Sequence, residues 1–326
     1  MDPKFELPQI READRVEIIS LIDNSMDFLS TIDQKNVYSF RQWTKIRYGE
    51  EWVKTHSEFP RAEHGFSMLV HIFSEGKAHC ILFDTGCSSD GVIENAKRLG
   101  LKLSEIECIV LSHGHFDHFG GLVSVLKIVD KENMPIIVHE DMYKTRGTAS
   151  QDKIRVYPTF PTKEELKTAQ LITTKEPQLF LNDLLLVTGE IPRETTFEKG
   201  FLQHKTLQDQ LWKPDPLILD DRAIAIRVRG KGLVVVSGCA HSGIINSINY
   251  VQKITKLTDV QAVLGGFHLA GKENEGRIES TVRELKRISP KLIAPSHCTG
   301  WRGIYAIANA MPNAFVWNSV GHLYEF

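Results

Sequence analysis

No apolar run in this sequence approaches the ~18 residues that a membrane-spanning helix needs; stretches such as Leu233–Val236 and Ile81–Phe83 are the longest kind present. The start, MDPKFELPQIREADR, is studded with charge and has no apolar h-region, so it reads as lacking a secretory signal and implies a cytoplasmic chain. Cysteine is scarce. Cys80, Cys87, Cys108, Cys239 and Cys298 are odd in number, scattered, and contain no C-x-x-C pair, which argues against a disulfide framework. An excess of one charge is also missing. Thirty-nine Lys and Arg stand against 41 Asp and Glu, so nothing global attracts a nucleic acid, and any anion recognition must be local. Internal repeats and low-complexity stretches are absent too, which excludes solenoids and tails.

What is present is an ordinary globular composition, 42% hydrophobic and 25% charged over 326 residues, long enough for one large domain or two. Residues 16–23 (VEIISLID) read as a first strand ending at Asn24-Ser25. The segment 26–61 is polar and aromatic without a clean period, and reads as an insertion near the pocket, either a lid or a packed surface element. Residues 65–73 and 79–86 read as a hairpin across the turn Ser74–Lys77. DGVIENAKRLG (90–100) reads as a helix with Asp90 as its N-cap. Further strands are expected at 107–111, 136–140, 184–189, 223–228, 232–238, 260–266 and 291–297, with helices near 244–256 and 277–289. Such alternation suits an α/β chain with two sheets between helices.

Directly after the strand ECIVL comes SHGHFDHFGG, which places His113, His115, Asp117 and His118 within six residues at a strand's carboxyl end. Imidazole and carboxylate at this density suit Zn, Mn or Fe, and Gly114 permits the turn that aims alternate side chains at one or two ions.

With this loop the chain resembles the metallo-β-lactamase-fold superfamily, and FDTG (83–86) resembles its preceding Asp-Thr-Gly turn. The resemblance implies an αββα sandwich, two mixed sheets flanked by helices, in one domain spanning 1–326 with the 26–61 insertion. It also implies that Asp84 supports the metal loop. AEHGFSMLV (62–70), TGEIPRET (188–195), SGCAHSGIIN (237–246), GGFHL (265–269) and SHCTG (296–300) are similar to the branch of dihydropterin-methyl ribofuranosylaminobenzene phosphate synthase-like proteins.

The superfamily completes a two-metal site with a His, a bridging Asp and a final His from later strand ends. His297 matches the final position. Where a Gly-Asp step is usual this chain reads Ser237-Gly238-Cys239-Ala240-His241, so His241 is expected as a ligand, with Cys239 as a candidate at the bridging place. Asp220 or Asp221 could be a ligand or an orienting neighbour. His64 and His268 are candidate proton donors or substrate contacts, and Asp117 is placed to orient the nucleophile. His204 has no motif around it and reads as an ordinary histidine. The branch implies a phosphorylated small-molecule substrate, for which Arg193, Thr299 and Arg302 are candidate anion contacts. One or two divalent ions, Zn foremost with Mn or Fe open, make a hydrolase of a phosphoester, lactone or ester the leading expectation. A pterin-condensing transferase displacing diphosphate and a non-catalytic ligand sensor are the alternatives. Oligomeric state leaves no mark in the sequence.

Overall fold

A computed structural model describes residues 9–56, 58–150 and 153–326. Two mixed sheets form its middle. One runs in the spatial order Gln178–Phe180, Leu185–Val187, Ala223–Val228, Gly232–Ser237, Val260–Gly266, Leu292–Ser296, with Glu12–Ala13 lying parallel to Ala223–Val228. The other runs Ala169–Thr173, Met134–Val138, Cys108–Val110, Lys77–Phe83, Ser67–Ser74, Arg15–Ile22, Leu323–Glu325, Val37–Tyr38. In each sheet, antiparallel hairpin pairing gives way to parallel pairing where a helix makes the crossover, as after Gly232–Ser237 and after Lys77–Phe83.

Most of these strands are buried on both faces, which is why they read as nearly continuous apolar runs. Between the sheets, Ile18, Val70 and Phe83 of one meet Ile226, Val236 and Leu264 of the other in a single cluster. On the outer face of the second sheet, Val92 and Ala96 of helix Gly91–Arg98 and Val125 of helix Leu122–Val129 cover Leu82 and Ile109. On the first, Ile248, Leu285 and Ile307 of helices Ile244–Thr255, Ile278–Ile288 and Gly300–Ala310 cover Val263 and Ile293. The result is the expected αββα sandwich.

One local expectation is corrected, one open alternative is decided and one element is new. The cap of helix Gly91–Arg98 comes from Ser88, whose Oγ accepts the Gly91 N–H at 3.0 Å, while Asp90 makes no capping bond. Segment 26–61 folds into the short strand Val37–Tyr38 and the helices Phe40–Tyr48 and Glu50–Thr55. It is clamped onto the second sheet by buried Trp43, whose Nε1 donates to the Gly321 carbonyl at 2.8 Å. Its described residues do not line the cavity described below, so it is a packed surface element and not a lid. Thirdly, a four-stranded antiparallel sheet, Leu211–Pro214, His204–Gln208, Arg146–Ser150, Lys153–Val156, was not foreseen. Among the described residues no helix is long and apolar enough to cross a membrane.

Candidate metal centre

The strand Cys108–Val110 is buried and short, and its parallel neighbours carry the loop 111–115 to the edge between the two sheets. Asp84, ending the adjacent strand, adopts a left-handed φ of 61° that turns its carboxylate under this loop. Its Oδ1 accepts the Ser112 N–H at 2.7 Å, and its Oδ2 accepts the Ser112 hydroxyl at 2.7 Å and His118 Nδ1–H at 2.6 Å. Ala240, His268 and His297 also have positive φ, at 52°, 44° and 48°. Such non-glycine conformations cost on the order of 1–3 kcal/mol each and concentrate where a site requires them.

The hydrogen-bond network settles which imidazole nitrogens face inward. Ser112 Oγ spends its proton on Asp84, so it accepts Nδ1–H of His113 at 2.9 Å and leaves His113 Nε2 with a lone pair. His204 Nδ1–H donates to the Asp215 carbonyl at 2.8 Å, so His204 Nε2 accepts Nε2–H of His115 at 3.0 Å and leaves His115 Nδ1 free. His297 Nδ1–H donates to Asn24 Oδ1 at 3.1 Å, and its buried Nε2 has no hydrogen-bond partner.

The inward lone pairs converge. His113 Nε2 and His115 Nδ1 are 3.0 Å apart, and His241 Nε2 lies 3.2 and 3.1 Å from them. Nitrogens sharing an ion at ~2.0–2.1 Å in tetrahedral directions sit about 3.3 Å apart. Beside them His118 Nε2 is 3.2 Å from Cys239 Sγ, and His297 Nε2 is 3.4 Å from Asp117 Oδ2. Burial and the neighbouring imidazoles push His113, His115 and His241 well below the usual histidine range, so their nitrogens stay neutral and available as ligands. Burial works against the Asp117 charge, but the neighbouring His118, His297 and His64 outweigh it and hold the carboxyl well below its usual range. Buried and neutral, with ring nitrogens converging to ligand-ligand spacing, His113, His115 and His241 fit a divalent cation.

A cavity of about 440 Å³ opens onto this cluster, lined among others by His64, Asp117, Arg155, Tyr157, Phe201 and His268. His64 sits at its mouth, 64% exposed at the side chain, with Nε2 3.2 Å from Asp117 Oδ2, and that hydrogen bond raises its pKa. Both nitrogens of His268 are buried without a partner, and burial drives its pKa down to about 3.

Four expected contacts fall elsewhere. Asp221 Oδ2 accepts the Ser242 N–H at 2.9 Å and its hydroxyl at 2.5 Å, so this carboxylate braces the turn after His241 and is not a ligand. Arg193 donates to the carbonyls of Ile191 and Leu217, Arg302 pairs with Glu275 at 3.4 Å, and Thr299 Oγ1 accepts the Phe267 N–H at 3.0 Å. None of these three lines the cavity. The cation that does is Arg155, which sequence reasoning missed together with Tyr157 and His204, because all three depend on the unforeseen small sheet. Asp220 belongs to the same support. It binds Arg146 through two contacts of 2.8 and 2.5 Å and accepts the Gly114 N–H at 2.7 Å.

An αββα sandwich with a histidine cluster at the sheet edge is the arrangement of the metallo-β-lactamase fold, and the family model of the Metallo-beta-lactamase superfamily matches residues 61–249. The chain belongs to that superfamily. It is 34% identical over 249 residues, 74% of this chain and 82% of the relative, to 7,8-dihydropterin-6-methyl-4-(beta-D-ribofuranosyl)-aminobenzene-5'-phosphate synthase of Methanocaldococcus jannaschii. The likeness to the synthase-like branch is thereby borne out. An uncharacterized protein of the same organism is 33% identical over 267 residues, 80% of this chain and 93% of that one. Among solved structures, that of a metal-dependent hydrolase of the beta-lactamase superfamily superposes with a TM-score of 0.70 at 22% identity, covering 95% of this chain and 98% of the other.

Proposed function

We propose that this chain is a metal-dependent hydrolase of a small-molecule ester, with phosphoesters foremost and lactones and carboxylic esters as the neighbouring classes. The observation that carries this reading is the convergence of three neutral imidazoles, His113, His115 and His241, within 3.0–3.2 Å of one another. One or two divalent ions, zinc foremost with manganese or iron as alternatives, would be held by these three and by Asp117, His118, His297 and Cys239. Bound there, an ion supplies Lewis-acid charge that acidifies water and neutralises negative charge developing on a substrate oxygen.

The chain's own groups supply the rest. Asp117, ionised well below its usual range, accepts a hydrogen bond from the attacking water and orients it. His64, hydrogen-bonded to Asp117 and open to solvent, passes a proton to the leaving group or away. Neutral His268 offers a hydrogen bond to a substrate oxygen, and Arg155 neutralises an anionic substituent. Phe116, Tyr157 and Phe201 wall the cavity with aromatic faces against which a substrate can pack. Five free cysteines accord with a reducing, cytoplasmic setting.

A screen of aryl phosphate mono- and diesters, lactones and carboxylic esters tests the reading, with Asp117→Asn as control. Turnover of one class should fall at least ~10²–10⁴-fold in the variant, the usual worth of a general base, and bound metal should fall with it because Asp117 is also one of the groups that would hold the ion. Turnover that survives the substitution overturns the role given to Asp117. The 34% identity to a synthase favours a second reading, a transferase that displaces diphosphate from a pterin-type substrate. That reading requires diphosphate release only when a second, attacking substrate is present.

A further inference from the structure

We infer that Cys298 joins Cys239 and His297 as a ligand of this centre, so that two sulfurs bias it toward soft divalent cations. The inference rests on the reading above that the centre holds divalent ions, and adds a residue and a metal preference to it.

Cys298 follows His297 in the short helical turn His297–Thr299, where His297 adopts a left-handed φ of 48°. Its Sγ lies 3.4 Å from the Cys239 carbonyl oxygen and against the Cys239 thiol. Cys239 Sγ, a ring nitrogen of His297 and Cys298 Sγ are all within 4.8 Å of one another. His297 Nε2 is buried without a hydrogen-bond partner on this side of the cluster, and faces Asp117 Oδ2 at 3.4 Å. The thiol is held in place from behind. A Cβ at Gly266 would stand 2.7 Å from Cys298 Sγ, so the sulfur occupies space that a larger residue at 266 would deny it. From its other side the residue lines the cavity, leaving an ion a path to it.

The chemistry follows from the donor types. A centre of imidazoles and oxygens accommodates Mn or Fe as well as Zn, with availability deciding between them, whereas added thiolates shift preference toward Zn and other soft ions. Each sulfur that ligates forms one bond to the ion and releases its proton to solvent, so uptake of the ion should release protons and weaken as the pH falls.

Cobalt(II) reports this directly, because each thiolate bound to it adds a ligand-to-metal charge-transfer absorption in the near ultraviolet. The full chain is stripped of metal, reloaded with cobalt and read per bound ion. The wild type should show the band, and Cys239→Ser and Cys298→Ser should each lose about half of it while cobalt remains bound through the histidines. A Cys298→Ser variant with bound cobalt and an undiminished band overturns the inference. In case that variant misfolds, alkylation of the unsubstituted chain with and without cadmium, mapped by peptide mass, gives an independent reading. Cadmium should protect the accessible Cys298, and labelling of Cys298 at an unchanged rate overturns the inference. A wild-type chain that takes up neither ion overturns the metal reading itself, a result distinct from ions bound without sulfur.

Discussion

Arg146→Gln offers the sharpest test of how the metal loop is held. Arg146 and Asp220 are 2% and 0% exposed, and the pair links the small sheet to Gly114 within the histidine loop. Burial pushes the Asp220 carboxyl up, but the Arg146 charge and hydrogen bonds outweigh it and hold the group well below its usual range. Removing the guanidinium leaves a buried carboxylate with one backbone donor. Breaking such a pair from one side costs about 3–5 kcal/mol. In a chain of this size, at ~2–4 °C per kcal/mol, that lowers Tm by roughly 10 °C. The sign with pH is also determined. In the wild type the depressed carboxyl stabilises the fold above the unfolded value near ~3.9. In the variant the carboxyl, buried without its partner, rises above that value, so it takes up a proton on acidification and the folded state recovers. Urea unfolding of both chains at pH 7.5 and pH 5 should therefore show a large deficit at the higher pH and a smaller one at the lower. A deficit below ~1 kcal/mol at pH 7.5, the worth of an exposed pair, would refute the reasoning, as would a deficit that grows on acidification.

Further consequences are checkable with simpler variants. A Cβ at Gly238 would stand 2.2 Å from Ser112 Oγ and 2.8 Å from Asp84 Oδ2, so Gly238→Ala should cost about 1–3 kcal/mol by overpacking and, by disturbing the support of His118, lower metal affinity ~10–100-fold. Equilibrium dialysis against a metal indicator reads the second effect, and unchanged affinity contradicts it. His322 is buried, its Nδ1 has no partner, and burial pushes its pKa down to about 4. Because an unfolded histidine titrates near ~6.5, stability should decline by about 3 kcal/mol as the pH falls from there to about 4, and His322→Met should flatten that slope. Burial pushes the Cys80 and Cys108 thiols up to about 12, so neither should react with iodoacetamide at pH 8 until the chain unfolds.

The sandwich was readable because its strands are buried on both faces and its helices carry one apolar stripe. Apolar runs such as Leu233–Val236 and the His113–His118 loop are local signals, and neither depends on distant residues. The small sheet left no such signal. Arg146–Ser150, Lys153–Val156, His204–Gln208 and Leu211–Pro214 are mixed, mostly part-exposed strands without alternation, so nothing in their order announces pairing. With that sheet went His204, Arg155 and Tyr157. Asp221 and Asp220 were close to the right place in the chain, yet a carboxylate next to a site reads the same in sequence whether it faces the ion or braces the backbone. Arg193 and Arg302 fail for a related reason, since proximity to a motif does not determine which way a long side chain extends.

Plasma mass spectrometry of the chain, purified without added metal or chelator, tests the central claim most directly, with His113→Ala and His118→Ala alongside. The account predicts one to two ions per chain in the wild type, zinc foremost, and loss from both variants that still fold. Little or no metal in the wild type, even after supplementation with zinc, manganese or iron, would contradict it and turn the search toward a small ligand sensed by the same cavity.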